Sequence, residues 1–412
     1  MLTKICQDIF NNINEKSRGP KNFKESGTTR LSFSKEHENA LAYIKTLSDE
    51  LNLKHKIDPF GNLTVTYPGT KTNEKSILTG SHIDSVPNGG AFDGALGVIA
   101  PLAIFSYWKT ICFSPKHNID AIAFAEEEGT RFRQVCLGSR YLCNELSSES
   151  PIDFIDTDNS GATLATHFKN FGLHSKSLKS HLKIKDKYEK FIELHIEQGP
   201  VLENKSLSIG LVRSIVGILR FKITIKGTAN HAGTTPMNLR NDALYTASKI
   251  ITQLYDDASL PNSGYVATVG FIQNFPNAEN VIPSMTTFIV EFRSENNSLL
   301  TQTLPLYIQK LTSQIIDAKR FAYEINQISY LPPVPMDQEL VNTLDSISTK
   351  LQIPHIQMPS GAGHDSMVIA KYIPTAMIFV PSKKGISHNP AEDTDWADIE
   401  KGLLILEKIL RD

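Results

Sequence analysis

The chain has 412 residues, of which 40% are hydrophobic and 21% are charged. That composition is typical of folded globular proteins, so it excludes a disordered or fibrous chain. A single hydrophobic core stops growing well below this length, and we therefore expect roughly two domains. The formal net charge of −2 comes without a dominant basic stretch. Nucleic acid is excluded as the main partner, because phosphate binding requires clustered lysines and arginines.

The N-terminal segment, residues 1–19, has apolar residues at helical spacing but no continuous apolar core before a small-residue cleavage site. It therefore predicts no secretory signal. No apolar run reaches the about 18 residues that span a bilayer, so we expect no membrane partner. A cytoplasmic protein is predicted. Its cysteines lack CxxC spacing and are expected to remain structural thiols in a reducing cytosol; they are Cys6, Cys112, Cys136 and Cys143.

Apolar runs alternate with helical patterns over the first part of the chain. The runs 76–79 (SILT) and 120–125 (DAIAFA) are separated by a helical pattern over 94–108. This alternation is typical of an α/β domain whose parallel strands are buried on both faces. It returns after about residue 327, with a helical pattern near 340–351, the apolar run TAMIFVP and a last helix.

The segment between these two parts has a different order of elements. It reads as strand (LRFKITIKG), helix (DALYTASKIITQLYDD), two strands, a second helix and a last strand (FAYEIN). That order matches a split βαβ, ferredoxin-like unit. We therefore predict a discontinuous α/β domain formed by residues 1–210 and 327–412, interrupted by an inserted α+β domain over residues 211–326.

Polar residues follow the predicted strands of the α/β domain. His82 and Asp84 come after the run SILTG, and Asp93 comes after a turn rich in asparagine and glycine. Open α/β sheets place their functional sites at such strand ends. Residues 126–128 form a run of three glutamates directly after DAIAFA. An isolated run of this kind is more often a solvated acidic turn, since buried carboxylates require a cation or hydrogen-bond donors.

Two further histidines occupy comparable positions. His195 ends an apolar segment in ELHIEQGP, and His388 follows the run MIFVP closely. One such histidine is usually an ordinary core or surface residue, but several together indicate a metal centre. Imidazole and carboxylate ligands suit Zn²⁺ and Mn²⁺. Asp93 is the candidate bridge of two ions, and Asp84 could orient the ring of His82 by accepting a proton from its other nitrogen.

Seven motifs together resemble the M20 peptidase superfamily, and specifically its hydantoinase/carbamoylase branch. The resemblance runs from about residue 60 to the C-terminus. HIEQGP and GAGHD are specific to the branch, whereas HxD and EEG occur throughout the superfamily. The motifs are GSHIDSVPNGGAFDGALGV, AEEEGTRF, ELHIEQGPVLE, NHAGTTPM, PNAENVIP, PSGAGHD and GISHNPAE.

The resemblance implies a pair of divalent ions per subunit, Zn²⁺ or Mn²⁺. It also implies that Glu127 is the general base, while Glu126 lies one position earlier and faces solvent or another partner. An EEE run leaves this assignment open to a shift by one residue. The implied ligands are His82, Asp93 and His195 for one ion, and Asp93, Glu128 and His388 for the other.

Residues of the inserted domain match family positions that contact substrate. His231 would stabilise an oxyanion, and Arg293 offers a planar fork of donors for a carboxylate. From the residues alone, Arg293 could equally be an edge-strand residue and Asn280 a turn former. Glu291 stands where the family more usually has Asp. The resemblance implies that hydrogen bonds to the ureido or carboxylate group come from Gln198, Asn280 and His364.

The resemblance implies hydrolysis of a ureido C–N bond in a small substrate that carries a carboxylate. N-carbamoyl-L-amino-acid hydrolases and allantoate amidohydrolases both resemble this chain, and β-ureidopropionase is not excluded by any residue. A peptidase or aminoacylase of the wider superfamily would share the metal centre. His195 separates the two readings, because many superfamily peptidases have a carboxylate there. An inactive scaffold would lack the complete ligand set.

The resemblance also implies a homodimer formed through the inserted domain, which would act as a lid that closes at hinges near Leu211 and Gln327. Lid residues of one subunit would complete the site of the other.

Overall fold

The computed structural model describes residues 1–17, 27–71, 73–146, 153–158, 160–173 and 182–411. Contacts divide the chain into two compact units, of which the first is Met1–Arg213 with Met336–Asp412 and the second is Ser214–Pro335. The strands in chain order are β1 (Lys54–Ile57), β2 (Leu63–Tyr67), β3 (Ser76–His82), β4 (Ile119–Phe124), β5 (Tyr188–Ile196), β6 (Ile209–Ile215), β7 (Gly217–Lys226), β8 (Val266–Phe275), β9 (Met285–Ser294), β10 (Ala322–Leu331), β11 (Val334–Pro335), β12 (His355–Ser360) and β13 (Thr375–Val380).

Helices occur in both units. None of them in the described part of the chain combines the length and the apolar character that a membrane span requires. In chain order they are α1 (Leu2–Ser17), α2 (Lys35–Glu50), α3 (Ala95–Thr110), α4 (Leu137–Leu142), α5 (Leu164–Asn170), α6 (Ile184–Lys187), α7 (Val201–Asn204), α8 (Ala243–Ala258), α9 (Leu304–Ile315), α10 (Gln338–Lys350), α11 (Ser366–Ile369) and α12 (Trp396–Arg411).

The first unit is built on a mixed sheet with the order β1-β2-β4-β3-β5-β13-β6, and β12 also pairs with β6. Its four central strands, β4, β3, β5 and β13, are parallel. All residues of β3, β4 and β13 are buried. The carboxyl ends of parallel strands lie at one edge of a sheet, so the segments that follow these four strands share that edge.

Helices cover both faces of this sheet. Successive strand residues point to opposite faces, and Ile77 and Leu78 accordingly belong to two different core clusters. The larger cluster packs the sheet against α1, α2, α3, α10 and α12. The smaller one includes residues of α4 and α11. Burial on both faces explains why the central strands are continuous apolar runs.

The second unit has a four-stranded antiparallel sheet in the order β10-β7-β9-β8. Alternate residues of β7 are buried, and they pack with α8 and α9 in one apolar cluster. The predicted fold class, an α/β domain with a separate ferredoxin-like α+β insertion, is confirmed. The last strand, β10, continues beyond the predicted end at residue 326 to Leu331, so the contact boundary also falls later, at Pro335.

Candidate active site

Side chains from all four central strand ends meet at the carboxyl edge of the first unit's sheet. His82 is the last residue of β3, and His195 is the second-to-last residue of β5. Glu127 and Glu128 follow β4, and His388 lies in the segment after β13. The parallel order of these strands is what brings together residues that are far apart in the sequence.

Asp93, His82 and His195 form the first cluster of potential metal ligands. Their donor atoms lie within 4.8 Å of one another, and all three side chains are buried. Asp93 Oδ1 is 3.6 Å from His82 Nε2 and 3.3 Å from His195 Nε2. Two imidazoles and one carboxylate are a donor set that suits Zn²⁺ or Mn²⁺.

The second cluster uses the other oxygen of Asp93. Asp93 Oδ2 is 3.1 Å from His388 Nε2, which is in turn 3.4 Å from Glu128 Oε2. His388 is half-exposed, whereas Asp93 is buried and Glu128 is partly buried. Asp93 thus faces one cluster with each oxygen, which is the arrangement that a carboxylate bridging two ions requires.

The donor atoms fit a pair of cations. Among the described residues, no group donates a hydrogen bond to Asp93 Oδ1 or to Glu128 Oε1, although both atoms are buried. Burying a carboxylate oxygen without a partner is costly. A divalent cation in each cluster would remove that cost, so the geometry supports a dinuclear centre.

The pKa values of these groups reflect the crowding of charge. Burial alone would raise the pKa of Asp93, but the imidazoles of His195, His388 and His82 hold it well below its usual range. Burial and the charge of Asp93 raise the pKa of Glu128 to about 7. Burial, together with the nearby Glu128, raises that of Glu127 well above its usual value.

Glu127 lies beside the first cluster. Its Oε2 is 3.8 Å from His82 Nε2, and its Oε1 accepts a hydrogen bond from the thiol of Cys136 at 3.5 Å. The main-chain N–H of Cys136 donates to the carbonyl oxygen of Glu127 at 2.9 Å. The start of α4 therefore holds the backbone of this glutamate, while its carboxylate remains beside the potential ligands.

Glu126, for which solvent or another partner was expected, is buried among protein partners. Its Oε1 accepts hydrogen bonds from the main-chain N–H groups of Arg131 and Phe132, at 3.2 and 3.3 Å. Burial and the charge of Asp84 raise its pKa to about 8. Glu126 therefore closes the turn that follows β4, and the neighbouring Glu127 is the carboxylate that approaches His82.

Asp84 also differs from its predicted role. His82 Nδ1 lies 3.0 Å from the main-chain oxygen of Asp84 but 3.9 Å from its carboxylate. The carboxylate instead accepts hydrogen bonds from the main-chain N–H groups of Glu127 and Glu128, each at 3.3 Å. Asp84 thus orients the ring of His82 with its backbone and anchors the glutamate turn with its side chain.

Gly94 permits the close approach of α3 to His82. Its φ is 64°, and a Cβ atom at this position would lie 2.3 Å from His82 Cε1. Only glycine can adopt this conformation and leave room for the imidazole. The packing of the site therefore requires a glycine directly after Asp93.

Comparisons with known proteins agree with this geometry. A model of peptidase family M20/M25/M40 matches residues 78–412. The chain belongs to this family. An allantoate amidohydrolase of Escherichia coli (strain K12) is 36% identical over 93% of this chain and 92% of its own length. An N-carbamoyl-L-amino-acid amidohydrolase of Paenarthrobacter aurescens is 34% identical over 93% of both chains.

A solved structure indicates to which branch of the M20 family the chain belongs. An amidase of the hydantoinase/carbamoylase family from Burkholderia multivorans superimposes with a TM-score of 0.89, at 30% identity, over 99% of this chain and 97% of that one. The predicted membership of the hydantoinase/carbamoylase branch is confirmed. This M20 chain is an amidohydrolase that acts on C–N bonds other than peptide bonds.

Gln198 and His364, predicted to contact substrate, lie beside the potential ligands of the amidohydrolase. Gln198 Nε2 donates a hydrogen bond to Asp93 Oδ2 at 3.0 Å. The ring of His364 is buried, and its centroid lies 4.5 Å from the centroid of the His195 ring. His364 Nε2 is 3.0 Å from Ser360 Oγ. Gln198 therefore contacts the potential ligand Asp93, and His364 packs against the potential ligand His195. The role of both residues toward substrate remains a prediction.

The three remaining predicted site residues lie in the second unit. His231 and Val281 form an isolated β-bridge, and the N–H of Ala232 donates to the carbonyl oxygen of Asn280, so the His231 and Asn280 segments are adjacent. Arg293 Nε donates to Glu291 Oε1 at 2.6 Å on the same strand. This ion pair fixes one edge of the guanidinium group.

Glu392 and Cys136 were not predicted to be parts of the site. Glu392 is buried and accepts the main-chain N–H of Asp93, and Cys136 contacts Glu127. The signal for Glu392 was its place in the motif GISHNPAE, four residues after His388. Cys136 gave no such signal, because its contact depends on the turn that precedes α4.

Asp365 provides a test of the electrostatics of this buried region. Burial and the charge of Glu193 raise its pKa from 3.8 to about 8. The folded protein therefore keeps this proton up to about pH 8, whereas the unfolded chain releases it near pH 4, so wild-type stability falls as the pH rises through that window. In metal-free protein we expect the unfolding free energy of Asp365→Asn, minus that of wild type, to increase from pH 5 to pH 8 in urea titrations. A difference that stays constant with pH would contradict the raised pKa.

Proposed function

We propose that the protein hydrolyses the ureido C–N bond of an N-carbamoyl-L-amino acid or of allantoate, with release of ammonia and carbon dioxide. The observation that carries this proposal is the position of Asp93, whose two oxygens face two clusters of potential metal ligands beside Glu127. The relatives named for these two substrates are nearly equal in identity to this chain. The two kinds of substrate share the ureido C–N bond, and both are therefore candidates.

His82, Asp93 and His195 would hold one divalent ion, and Asp93, Glu128 and His388 the other. The ions would be Zn²⁺ or Mn²⁺, judged from the imidazole and carboxylate donors. When bound, such a pair supplies Lewis acidity and lowers the pKa of water.

Glu127 would act as general base and then as general acid. Its carboxylate would accept a proton from the attacking water and deliver it to the nitrogen that leaves the ureido carbon. Its contact with the thiol of Cys136 and the anchoring of its backbone keep the carboxylate in one place. A base that is held in position loses little entropy when the transition state forms.

The second unit would recognise the substrate. Arg293 would bind the carboxylate, and Glu291 would orient its guanidinium group by accepting from Nε. His231 and Asn280 would contact the ureido group. We also propose a homodimer formed through this unit, since β8 is an edge strand of its sheet and exposed edges favour pairing with another chain. This strand also exposes several apolar side chains, which are Val266, Phe271, Ile272 and Phe275.

The substrate is tested by ammonia release from a panel of ureido compounds. The panel contains allantoate, ureidoglycolate, N-carbamoyl-β-alanine and several N-carbamoyl amino acids of both configurations, and cleavage of a dipeptide is measured alongside. We expect hydrolysis of allantoate or of an N-carbamoyl-L-amino acid to be fastest. Preference for the dipeptide would contradict the proposal and favour the peptidase reading.

Arg293→Lys tests recognition of the carboxylate. We expect KM to rise about 10- to 100-fold for a substrate with a free carboxylate, because Lys cannot form the bidentate contact. The matched control is the carboxamide of the same N-carbamoyl amino acid, for which wild type and variant should have similar KM values. Equal KM increases for both compounds would show that Arg293 does not bind the carboxylate.

A further inference from the structure

Glu392 joins two segments of the first unit that carry potential metal ligands. It lies between β13 and α12, four residues after His388, and only 6% of its surface is exposed. A buried carboxylate is stable only if its oxygens receive hydrogen bonds or a cation. Its two oxygens receive hydrogen bonds from different segments of the chain.

Glu392 Oε1 binds the segment that carries Asp93. It accepts the main-chain N–H of Phe92 at 2.9 Å and that of Asp93 at 3.0 Å. The preceding turn passes so close that a Cβ atom at Gly90 would lie 1.9 Å from Glu392 Oε1. The carboxylate therefore occupies a space that this turn leaves open, and it fixes the backbone from which the Asp93 side chain extends.

Glu392 Oε2 binds the segment that carries His388. It accepts a hydrogen bond from Ser387 Oγ at 2.8 Å. Ser387 Oγ also lies 3.3 Å from Asp93 Oδ2, the oxygen that faces His388. His388 itself is half-exposed and has φ 53°, an unfavourable conformation for a residue with a side chain. Its position therefore depends on what holds the segment around it.

We propose that Glu392 is a positioning residue that sets the distance between Asp93 and His388 and thereby the affinity of the His388-side metal position. This inference rests on the proposed dinuclear function. Glu392 belongs to none of the groups of converging potential ligands, and its oxygens already accept hydrogen bonds from three donors. It acts through the ligands, as outer-shell partners of metal sites do.

The two metal positions depend on Glu392 to different degrees. His82 and His195 are residues of β3 and β5, whose positions are fixed by the sheet. His388 lies outside any strand, and Ser387 connects its segment to Glu392. Loss of the carboxylate should therefore weaken the His388-side ion much more than the ion at His82 and His195.

The test is a titration of metal-free protein with Zn²⁺ and, separately, with Mn²⁺, with stoichiometry and affinity measured by calorimetry. Wild type should bind two ions per chain. We expect the His388-side ion to be the weaker of the two, because His388 is half-exposed. In Glu392→Ala this ion should lose about 10- to 100-fold in affinity, the usual cost of removing an outer-shell partner, while the tighter ion is unchanged. Glu392→Gln should lose less, because an amide can accept from the same N–H groups and donate to Ser387.

Glu407→Gln is the matched control. Glu407 is also a buried carboxylate of the first unit, but its Oε1 accepts the indole N–H of Trp108 at 2.7 Å, away from the ligand segments. This variant should bind both ions as wild type does. Circular dichroism reports whether each variant folds. If Glu392→Ala does not fold, Ser387→Ala takes its place, with an expected loss of about tenfold for the weaker ion.

Two results would overturn the inference while leaving the proposed function intact. One is wild-type affinity for both ions in a folded Glu392→Ala or Ser387→Ala variant. The other is an equal loss of both ions, which would mean that the whole centre is disturbed. If wild type itself binds fewer than two ions of either metal, the dinuclear function fails, and this inference fails with it.

Discussion

Glu127→Gln is expected to lower kcat by about 10²- to 10⁴-fold, the usual contribution of a general base. The amide is similar in size to the carboxylate and can still accept from the thiol of Cys136, but it cannot take a proton. Since Glu127 is not among the potential metal ligands of the two Asp93 clusters, both ions should remain bound. The measurement is kcat on the best substrate of the panel, together with metal content.

Glu126→Gln is the control for this experiment. Glu126 is the preceding carboxylate of the same run, and its Oε1 accepts main-chain hydrogen bonds from Arg131 and Phe132. An amide oxygen can accept the same bonds, so this variant should keep most of its activity. If Glu127→Gln keeps full activity with both metals bound, or if Glu126→Gln is the variant that loses it, the general base has been misassigned.

Asp93→Asn should have the second large effect. Both oxygens of Asp93 face potential ligands of separate clusters, so its charge is available to both ions. Removing that charge should weaken both metal positions by more than the 10- to 100-fold that outer-shell changes cost, and activity should fall at least as far. Metal analysis after dialysis against metal-free buffer measures the first effect, and turnover measures the second.

Asp58→Asn is a suitable control for the Asp93 variant. Asp58 is a partly buried aspartate of the same unit, but its Oδ1 accepts the main-chain N–H groups of residues 60–62 in a turn. Its replacement should leave the metal content unchanged. Retention of two ions by Asp93→Asn would show that Asp93 is not the bridge.

The sequence predicted the elements of the site better than their contacts. His82, His195, His388 and the run 126–128 were predicted from one rule, that polar residues at the ends of buried strands indicate a site. The family resemblance then selected Glu127 within the run. The rule works because the parallel strands β3, β4, β5 and β13 bring those ends to one edge. The order of the strands in the sheet is set by packing and was not available from the sequence pattern.

Contacts that depend on tertiary structure were predicted less well. Asp84 follows His82 by two residues, and this spacing suggested a carboxylate-imidazole contact. In the structure the backbone turns so that the carbonyl oxygen contacts the ring, and the carboxylate binds the glutamate turn. For Glu126 the prediction left solvent or another partner open, and the N–H groups of Arg131 and Phe132 are the partners that make its burial possible.

Glu392 shows why long-range hydrogen bonds escape a reading of the sequence. Its partners Phe92 and Asp93 are about 300 residues earlier in the chain. Only the folded sheet brings these segments together, so the motif GISHNPAE marks the residue but not its partners. In contrast, the inserted unit was predicted in its element order because strand and helix periodicity are local properties.

The most direct test of the dinuclear centre is a crystal structure of the metal-loaded protein with anomalous scattering at the Zn²⁺ or Mn²⁺ edge. We expect two anomalous peaks, one between Asp93, His82 and His195 and one between Asp93, Glu128 and His388, each in contact with a different oxygen of Asp93. A single peak, or peaks that do not share Asp93, would contradict a centre of two ions bridged by this residue.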